Sequence, residues 1–402
     1  MSLLEFARSN PRPLLFGAIH SFFSSPGQTY VIGLCVASIG TTLGMGPAEI
    51  GALYLAATVG SAVTLVLIGH WIDHIRLVHF SAAAVLSLAF ACFFTALVSG
   101  PLMLFLALYM LRLTGLGLMV HVEATATART FDRERGRALG ITALGMPLGQ
   151  IVFPPLVIAG IAAIGWQATY AWMGAVTLLV LLPSTQWLLR TFKRAPPGMT
   201  IPEGEGQKLI TGLIGMARSR QVRMIIAAIL LFPFHMTAIL FHITTIATSK
   251  GWSTAMVATS FPALALASVG GLFLSGQLID RISARQLFPF IFLPLVAGIA
   301  LMAASSASWT MPVAFGLLGL GGGLSRPTIT AIWAELFGVT SLGAVRSAAA
   351  MFLTFSSGVS PFLFGLALDQ GLSVSATLWI LVIISVVVLI PSLLSIRSSA
   401  AP

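Results

Sequence analysis

One arginine and two histidines stand inside long apolar stretches of this chain, where charged or titratable side chains are costly. Arg112 lies eleven residues after Pro101, about 16 Å along a helix that begins at that proline. His235 and His242 are seven residues apart, which is two turns on one helix face. Arginine can bind an anion, and histidine can exchange protons near neutral pH. These residue types therefore favour anion binding with proton movement.

Each of these residues also has a purely structural interpretation. Arg112 either contacts a substrate or ties its helix to neighbouring backbone carbonyls. Each histidine either shuttles a proton, holds a carboxylate, or makes a single interhelical hydrogen bond. His235 is expected to lie deeper than His242 and is the stronger candidate. The sequence leaves these alternatives open.

The composition identifies the medium in which these residues lie. The chain is 57% hydrophobic and 8% charged, whereas soluble domains carry about 25% charged residues. A membrane-spanning helix needs about 20 apolar residues. We predict an all-α membrane protein with twelve transmembrane helices. The predicted spans are 13–39, 47–69, 79–99, 101–123, 137–163, 166–189, 223–248, 254–278, 287–305, 309–331, 345–368 and 373–395.

The positive charges are concentrated on one side of this predicted topology. The formal net charge is +10. Apart from Arg112 and Arg326, the lysines and arginines lie in or beside alternate connections, and the opposite connections hold only Lys250. Positive residues accumulate on the cytoplasmic side of membrane proteins. We therefore predict that both termini are cytoplasmic, with the bilayer and not nucleic acid as the partner of this charge. Short outer loops favour a bacterial cytoplasmic (inner) membrane.

The chain repeats itself at an offset of 207 residues, about half its length. The paired residues are Pro26 and Pro233, Gly44 and Gly251, Gly69 and Gly276, Asp73 and Asp280, Gly136 and Gly343, and Pro154 and Pro361. Such pairing predicts a duplicated architecture. We expect an N-terminal half over 1–189, a cytoplasmic linker over 190–222 and a C-terminal half over 223–402.

The repeat also predicts where a substrate binds. Gln28 and His235 each stand two residues after a proline, at equivalent positions of the two halves. Proline interrupts helical hydrogen bonding, and broken helices at matching positions indicate a site near the membrane midplane. Gln28 and Tyr30 are therefore binding candidates, with ordinary helix kinks as the alternative. Arg326, just before Pro327, is either a second anion contact or an arginine that extends its head to the membrane surface.

Two equivalent stretches resemble the cytoplasmic loop signature of the major facilitator superfamily. They run Gly-His-Trp-Ile-Asp-His-Ile-Arg over 69–76 and Gly-Gln-Leu-Ile-Asp-Arg over 276–281. A glycine at a helix end allows close helix approach, and an aspartate there can accept backbone N–H bonds. The resemblance extends over nearly the whole chain, in a style similar to bacterial permeases near the monocarboxylate-transporter branch.

This resemblance implies two pseudo-symmetric six-helix bundles around a central cavity, lined by the first and fourth helices of each half. It also implies that the paired loops act as gates during alternating access. The implied gating residues are Gly69, Asp73, Arg76, Gly276, Asp280 and Arg281.

No predicted span holds an acid near its middle. Glu123 and Glu335 lie near the inner ends of their spans, where we expect each to brace a helix end against a nearby arginine. Basic and neutral groups at the midplane favour an anionic substrate, since charges attract strongly in a low-dielectric cavity.

We therefore predict a secondary active transporter that moves a small organic anion, such as a monocarboxylate, by proton symport. The sequence has no phosphate-binding loop, hydrolase motif or clustered metal ligands, so we expect no enzyme activity and no cofactor. A monomer is expected to suffice. The alternatives are a proton-antiport efflux pump for apolar drugs or metabolites, and a receptor on the same fold that does not transport.

Overall fold

The computed structural model describes residues 3–131, 133–190, 220–337 and 342–398. These residues form helices joined by turns, with no strand among them, so the predicted all-α fold is confirmed. Within the described ranges, nine stretches are long and apolar enough to cross a membrane. The chain is thus a multi-pass membrane protein. Most residues of each of the twelve predicted spans are helical, while the number of spans stays a prediction.

The first half contains eleven α-helices, one 3₁₀ turn and two π-helical segments among its described residues. They are α1 (Leu3–Ser9), α2 (Pro11–Phe23), the 3₁₀ turn Ser25–Gly27, α3 (Thr29–Leu43), α4 (Pro47–Gly69), α5 (Trp71–His74), α6 (Leu77–Ala96), α7 (Pro101–Leu111), π1 (Arg112–Met119), α8 (Val120–Thr130), α9 (Arg135–Thr142), α10 (Gly145–Val176), π2 (Thr177–Leu181) and α11 (Leu182–Leu189). Gly165 leaves the helical conformation inside α10 and so divides it into two spans.

The second half is built from eight α-helices in the described ranges. They are α12 (Arg220–Phe241), α13 (Ile243–Lys250), α14 (Thr254–Ile282), α15 (Ala284–Leu287), α16 (Phe292–Ala304), α17 (Thr310–Phe337), α18 (Leu342–Asp369) and α19 (Val374–Ser398). Most of the predicted linker over 190–222 lies outside the described residues.

The helices cluster into two compact units. The first contains the chain up to Met45 and from Ala52 to the end of α11, and the second contains Gly46–Gly51 with α12 to α19. In the first unit, α10 packs against α2, α3 and α6, and α8 packs against α2. In the second, α14 packs along α17, and α12 packs against α18 and α19.

One repeated glycine pair ends the same helix in both units. Gly44 follows α3 with φ 64°, and Gly251 follows α13 with φ 71°. This left-handed conformation strains any residue with a Cβ and is the usual way for a glycine to end a helix. The repeat at 207 residues therefore reports a backbone requirement, which explains why glycine stands at both positions.

The predicted matching helix breaks are not observed, and that expectation is wrong. In the first unit the backbone leaves the helix between α2 and α3, next to Pro26. In the second unit α12 continues through Pro233, and the interruption comes at His242. Beside Pro26, the hydroxyls of Ser24 and Ser25 donate to carbonyls three residues back, so local hydrogen bonds stabilise the break. Phenylalanines flank Pro233 and offer no such bonds.

Candidate functional site

The break between α2 and α3 interrupts the helical hydrogen bonding of the backbone inside the first unit. Gln28 is extended, with φ −82° and ψ 147°, between the 3₁₀ turn and the start of α3. A break of this kind leaves N–H and C=O groups without helical partners. Such irregular backbone is tolerated at membrane depth only where protein or a cavity surrounds it. The break therefore provides polar backbone groups near the predicted midplane.

Glycines bring this break into direct backbone contact with the fourth membrane span. A Cβ added at Gly27 would lie 2.0 Å from the carbonyl oxygen of Leu111, and one added at Gly115 would lie 2.7 Å from the Cα of Gly27. Neither position has room for a side chain. The close approach fixes the break against the junction of α7 and π1.

The fourth span changes its helical period at this contact. It is α-helical up to Leu111, π-helical over Arg112–Met119, and α-helical again from Val120. π-helical segments are rare and often occur at functional sites. Arg112 is the first residue of the π-helical segment.

Arg112 is buried with little to neutralise its charge. Its side chain is 4% exposed. Nη1 donates to the carbonyl oxygen of Gly27 and to the hydroxyl of Thr29, both at 3.4 Å, which is long for such bonds. Nε is buried and has no hydrogen-bond partner among the residues that the structure describes. The two ion pairs found among the described residues involve other arginines.

The ring of Tyr54 completes the surroundings of this guanidinium. The central carbon of Arg112 lies 5.2 Å from the ring centroid, within the range of a cation–π contact. The hydroxyls of Tyr54 and Thr29 are 2.7 Å apart and share a hydrogen bond. Arg112, Thr29, Tyr54 and the Gly27 carbonyl therefore form one polar cluster, called the arginine cluster below.

Two predicted binding residues lie beside this cluster but bond within their own segment. Gln28 donates from Nε2 to the hydroxyl of Ser24 at 3.1 Å. Tyr30 donates to the hydroxyl of Ser25 at 2.6 Å. Both side chains are buried. These contacts stabilise the break that carries the Arg112 partners.

His235 and His242 lie in the second unit and differ in their hydrogen bonding. The Nδ1 of His235 lies 2.5 Å from the carbonyl oxygen of Leu231, and its Nε2 lies 2.9 Å from that of Leu381 and 3.0 Å from the hydroxyl of Ser385. Both of its ring nitrogens thus have partners. The structural alternative accounts for these contacts without a ligand.

His242 retains one ring nitrogen that has no partner. Its Nε2 bonds the Pro361 carbonyl at 2.8 Å, its ring stacks on Phe364 at 5.0 Å, and its Nδ1 is buried without a hydrogen bond. Of the two histidines, it has the greater unused hydrogen-bonding capacity. The Pro361 carbonyl also joins the histidine to a proline of the 207-residue repeat.

Arg326 lies within α17 and is exposed in the second unit. It is about 24 Å from the start of that helix at Thr310. Within the described part of the chain, no acid forms an ion pair with it. An arginine at that depth is costly unless water or an anion reaches it.

The two predicted gating loops have different contacts. In the first unit, Asp73 forms an ion pair with Arg129, which also donates to the Ile72 carbonyl at 3.1 Å. His121 bonds the Gly69 carbonyl at 2.9 Å. Arg76 is exposed. The first loop is thus bonded to α8 through Asp73 and Gly69, while Arg76 is not held by these contacts.

In the second unit, Gly276, Asp280 and Arg281 are all exposed. The next acid along, Glu335, accepts a hydrogen bond from the Ala284 backbone N–H at 3.0 Å and lies 3.8 Å from Arg285. This agrees with the bracing expected of Glu335. Equivalent residues in the two loops therefore have unequal surroundings.

The sequence did not single out Tyr54 or the π-helical segment. Tyr54 is one of only four tyrosines in the chain. Its position in an apolar span was the one feature of the sequence that could have marked it as a binding residue. The change of helical period has no such signal in the sequence; in the structure, Gly115 of this segment lies against Gly27. Thr29 and Gly27 belong to the proline stretch that the sequence did identify.

Known structures share this fold over almost the full chain. A bacterial homologue of the human lysosomal transporter Spinster, in an inward-facing and occupied conformation, matches with a TM-score of 0.71 and 15% identity, covering 96% of each chain. The nucleoside transporter NupG matches with a TM-score of 0.76 and 13% identity, covering 95% of this chain and 99% of its own. No curated protein sequence matches the chain.

At these identities the structural likeness establishes the fold alone. The sequence itself matches the family model described as Major Facilitator Superfamily over residues 18–307, which is most of the chain. The narrower resemblance to the monocarboxylate branch stays a prediction. The chain therefore belongs to the Major Facilitator Superfamily and is a transporter, not an enzyme.

Proposed function

We propose that this secondary transporter imports a small organic anion, such as a monocarboxylate, together with protons. The observation that carries the proposal is the buried Arg112 guanidinium, whose Nε has no partner and whose other contacts are weak. A buried charge is normally paired. A substrate carboxylate would supply the missing charge and accept bonds from both the guanidinium and the hydroxyls beside it.

The arginine cluster suits a carboxylate for a geometric reason. Guanidinium groups bind carboxylates through two parallel N–H bonds. Nε and one terminal nitrogen form such a pair of donors, and on Arg112 the Nε donor is unused. The hydroxyls of Thr29 and Tyr54 offer further hydrogen bonds to the same ligand.

The remaining assignments follow the same proposal. In the second unit, the candidate contacts for protons or substrate are His242, His235 and Arg326. In the first unit, the candidates Gln28 and Tyr30 stabilise the break beside the arginine cluster. The pattern of basic residues favours a bacterial inner membrane with both termini cytoplasmic. A monomer in the bilayer, without cofactor, is expected to perform the transport.

Uptake into proteoliposomes tests this function. Purified protein is reconstituted, and labelled lactate is offered with and without an inward proton gradient. We expect lactate to accumulate with the gradient, and pyruvate to compete while the uncharged lactamide does not. Equal competition by lactamide would contradict the anion assignment. Expulsion of preloaded solute by the same gradient would instead support the antiport alternative.

Arg112→Ala connects this transport to the arginine cluster. The variant should insert into the membrane but lose lactate uptake. Thr114→Val is a matched control in the same π-helical segment, since the Thr114 hydroxyl bonds the Met110 carbonyl of its own span at 2.8 Å. This control should transport as the wild type does.

A further inference from the structure

Glu123 is the one buried acid among the residues whose burial the structure describes. It lies in α8, near the predicted cytoplasmic end of the fourth span, and its side chain is 6% exposed. One carboxyl oxygen accepts a hydrogen bond from the hydroxyl of Thr142 in α9. The expected brace against an arginine is not observed, because the partner of Glu123 is this hydroxyl.

No cation neutralises Glu123 in the described part of the chain. The ion pairs found there join Asp73 to Arg129 and Arg285 to Glu335. α8 packs against α2, α6, α9 and π1. Besides the thiol of Cys92, the charged or titratable groups on these elements and on α8 itself are Arg12, His20, His79, Arg112, His121, Arg129, Arg135 and Arg137.

None of these groups forms an ion pair with Glu123, and several are engaged elsewhere. His20 contacts the Phe16 carbonyl and the Ser81 hydroxyl, and His121 contacts the Gly69 carbonyl. Arg12 lies over the Trp187 ring. Arg135 and Arg137 are exposed on α9.

An unpaired hydroxyl lies next to this carboxyl. Thr127 is one helical turn after Glu123, and its buried oxygen has no hydrogen-bond partner. A Cβ added at Gly17 of α2 would lie 2.6 Å from the Thr142 side chain and 2.8 Å from the Thr127 oxygen. Thr127 and Thr142 thus lie against α2, and the Glu123–Thr142 bond joins the carboxyl to this small polar cluster. Among the described residues, the cluster contains one hydroxyl without a partner.

We propose that Glu123 is a protonation site that couples the proton gradient to transport, an inference that rests on the proposed proton symport. An ionised carboxylate with one hydroxyl donor and no cation is costly when buried, so the buried side chain holds a proton. When α8 separates from α2 and α9, water reaches the carboxyl. The carboxylic O–H bond then breaks, its electrons stay on the carboxylate, and the proton passes to water.

The position of Glu123 separates the proton from the substrate. It stands eleven residues after Arg112, about 16 Å along the same span, with π1 between them. The two charges therefore do not share one site. Coupling runs through the packing of this span against the first span: Arg112 bonds the Gly27 carbonyl, and α8, which carries Glu123, packs against α2.

A purely structural role for Glu123 makes a different prediction. If the side chain only joins α8 to α9, glutamine should replace it fully, because its carbonyl also accepts from the Thr142 hydroxyl. If it carries a proton, glutamine preserves the contact and loses the function. Glu123→Gln therefore separates the two roles, and Glu134→Gln is a matched control on the cytoplasmic side.

Infrared spectroscopy of the reconstituted protein tests protonation without any substrate. We expect a carbonyl stretching band of a protonated carboxyl group in the wild type and in Glu134→Gln, and loss of that band in Glu123→Gln. A band unchanged in Glu123→Gln, or no such band in the wild type from acidic to neutral pH, would overturn the proposal.

Transport assays with labelled lactate test the coupling. Glu123→Gln should lose accumulation driven by an inward proton gradient but keep exchange of internal for external lactate, and Glu134→Gln should keep both. Gradient-driven accumulation by Glu123→Gln would overturn the proposal. A wild type that moves no lactate would refute the proposed function alone, and the infrared result would still decide whether Glu123 is a protonation site.

Discussion

Replacing Arg112 by alanine should separate transport from folding. The side chain forms two 3.4 Å hydrogen bonds and has an unpartnered Nε, so its removal costs the folded protein little. Removing an arginine from a membrane span also relieves roughly 2.5–3.5 kcal/mol of insertion cost. We therefore expect the thermal stability of the ligand-free variant to stay within a few degrees of the wild type.

The effect on substrate binding should be much larger. Two unit charges 4 Å apart attract by about 4 kcal/mol at an effective dielectric constant of 20. Removing one partner of a buried charge pair typically costs about 2–5 kcal/mol. Taking about 3 kcal/mol, and about 1.4 kcal/mol for each factor of ten, the variant should bind an anionic substrate about a hundredfold more weakly.

Lactate-dependent thermal shift and lactate uptake measure this loss together. The wild type should be stabilised by lactate, while Arg112→Ala should need about a hundredfold more lactate for the same shift. Arg112→Lys keeps the charge without the paired donors and should fall between the two. The Thr114→Val control should behave as the wild type.

Wild-type uptake by Arg112→Ala would remove this arginine from the substrate site. If Arg112→Lys bound lactate as tightly as the wild type does, the two-donor geometry would be refuted, but the need for a positive charge would remain. A variant that fails to insert would contradict the stability argument, since that argument predicts easier insertion.

Three further experiments test the surroundings of the site and the first gating loop. Tyr54→Phe keeps the ring but removes a hydroxyl whose hydrogen bond contributes about 1 kcal/mol. Lactate affinity should therefore fall about fivefold in uptake assays. An unchanged affinity would exclude the hydroxyl from the site. Gly27→Ala places a Cβ 2.0 Å from a carbonyl oxygen, so we expect a loss of about 2 kcal/mol or more in stability, seen in thermal melts. Gly136→Ala, where nothing lies within 4 Å, should melt as the wild type does. Asp73→Asn and Arg129→Gln should show a coupling of about 1 kcal/mol in a double-mutant cycle, since the pair is partly exposed; additive effects would contradict the ion pair.

Much of the fold was predictable because it depends on local requirements. A span of apolar residues must form helix in a membrane, since each backbone group needs a partner. The left-handed backbone conformation of Gly44 and Gly251, which ends a helix in each unit, is likewise a local requirement. Glycine therefore occupies both positions. The break beside Pro26 was predicted for the same reason, from the proline itself.

The details of the sites were less predictable because they depend on neighbours distant in sequence. Pro233 and Pro26 are equivalent in sequence, but only Pro26 lies at a break, where serine hydroxyls stabilise it. Glu123 and Glu335 resembled each other as acids near inner helix ends. Only packing gives Glu335 an arginine and Glu123 a threonine.

The membrane environment, the helical fold and the 207-residue repeat of this transporter can be read from its sequence alone. Those properties follow from composition and from residues whose backbone demands are met locally. Long-range packing sets which buried polar groups of the described residues lack partners: the Nε of Arg112, the Nδ1 of His242 and the hydroxyls of Thr58 and Thr127. Whether a buried group is satisfied depends on what other helices bring to it, and no single stretch of sequence contains that information.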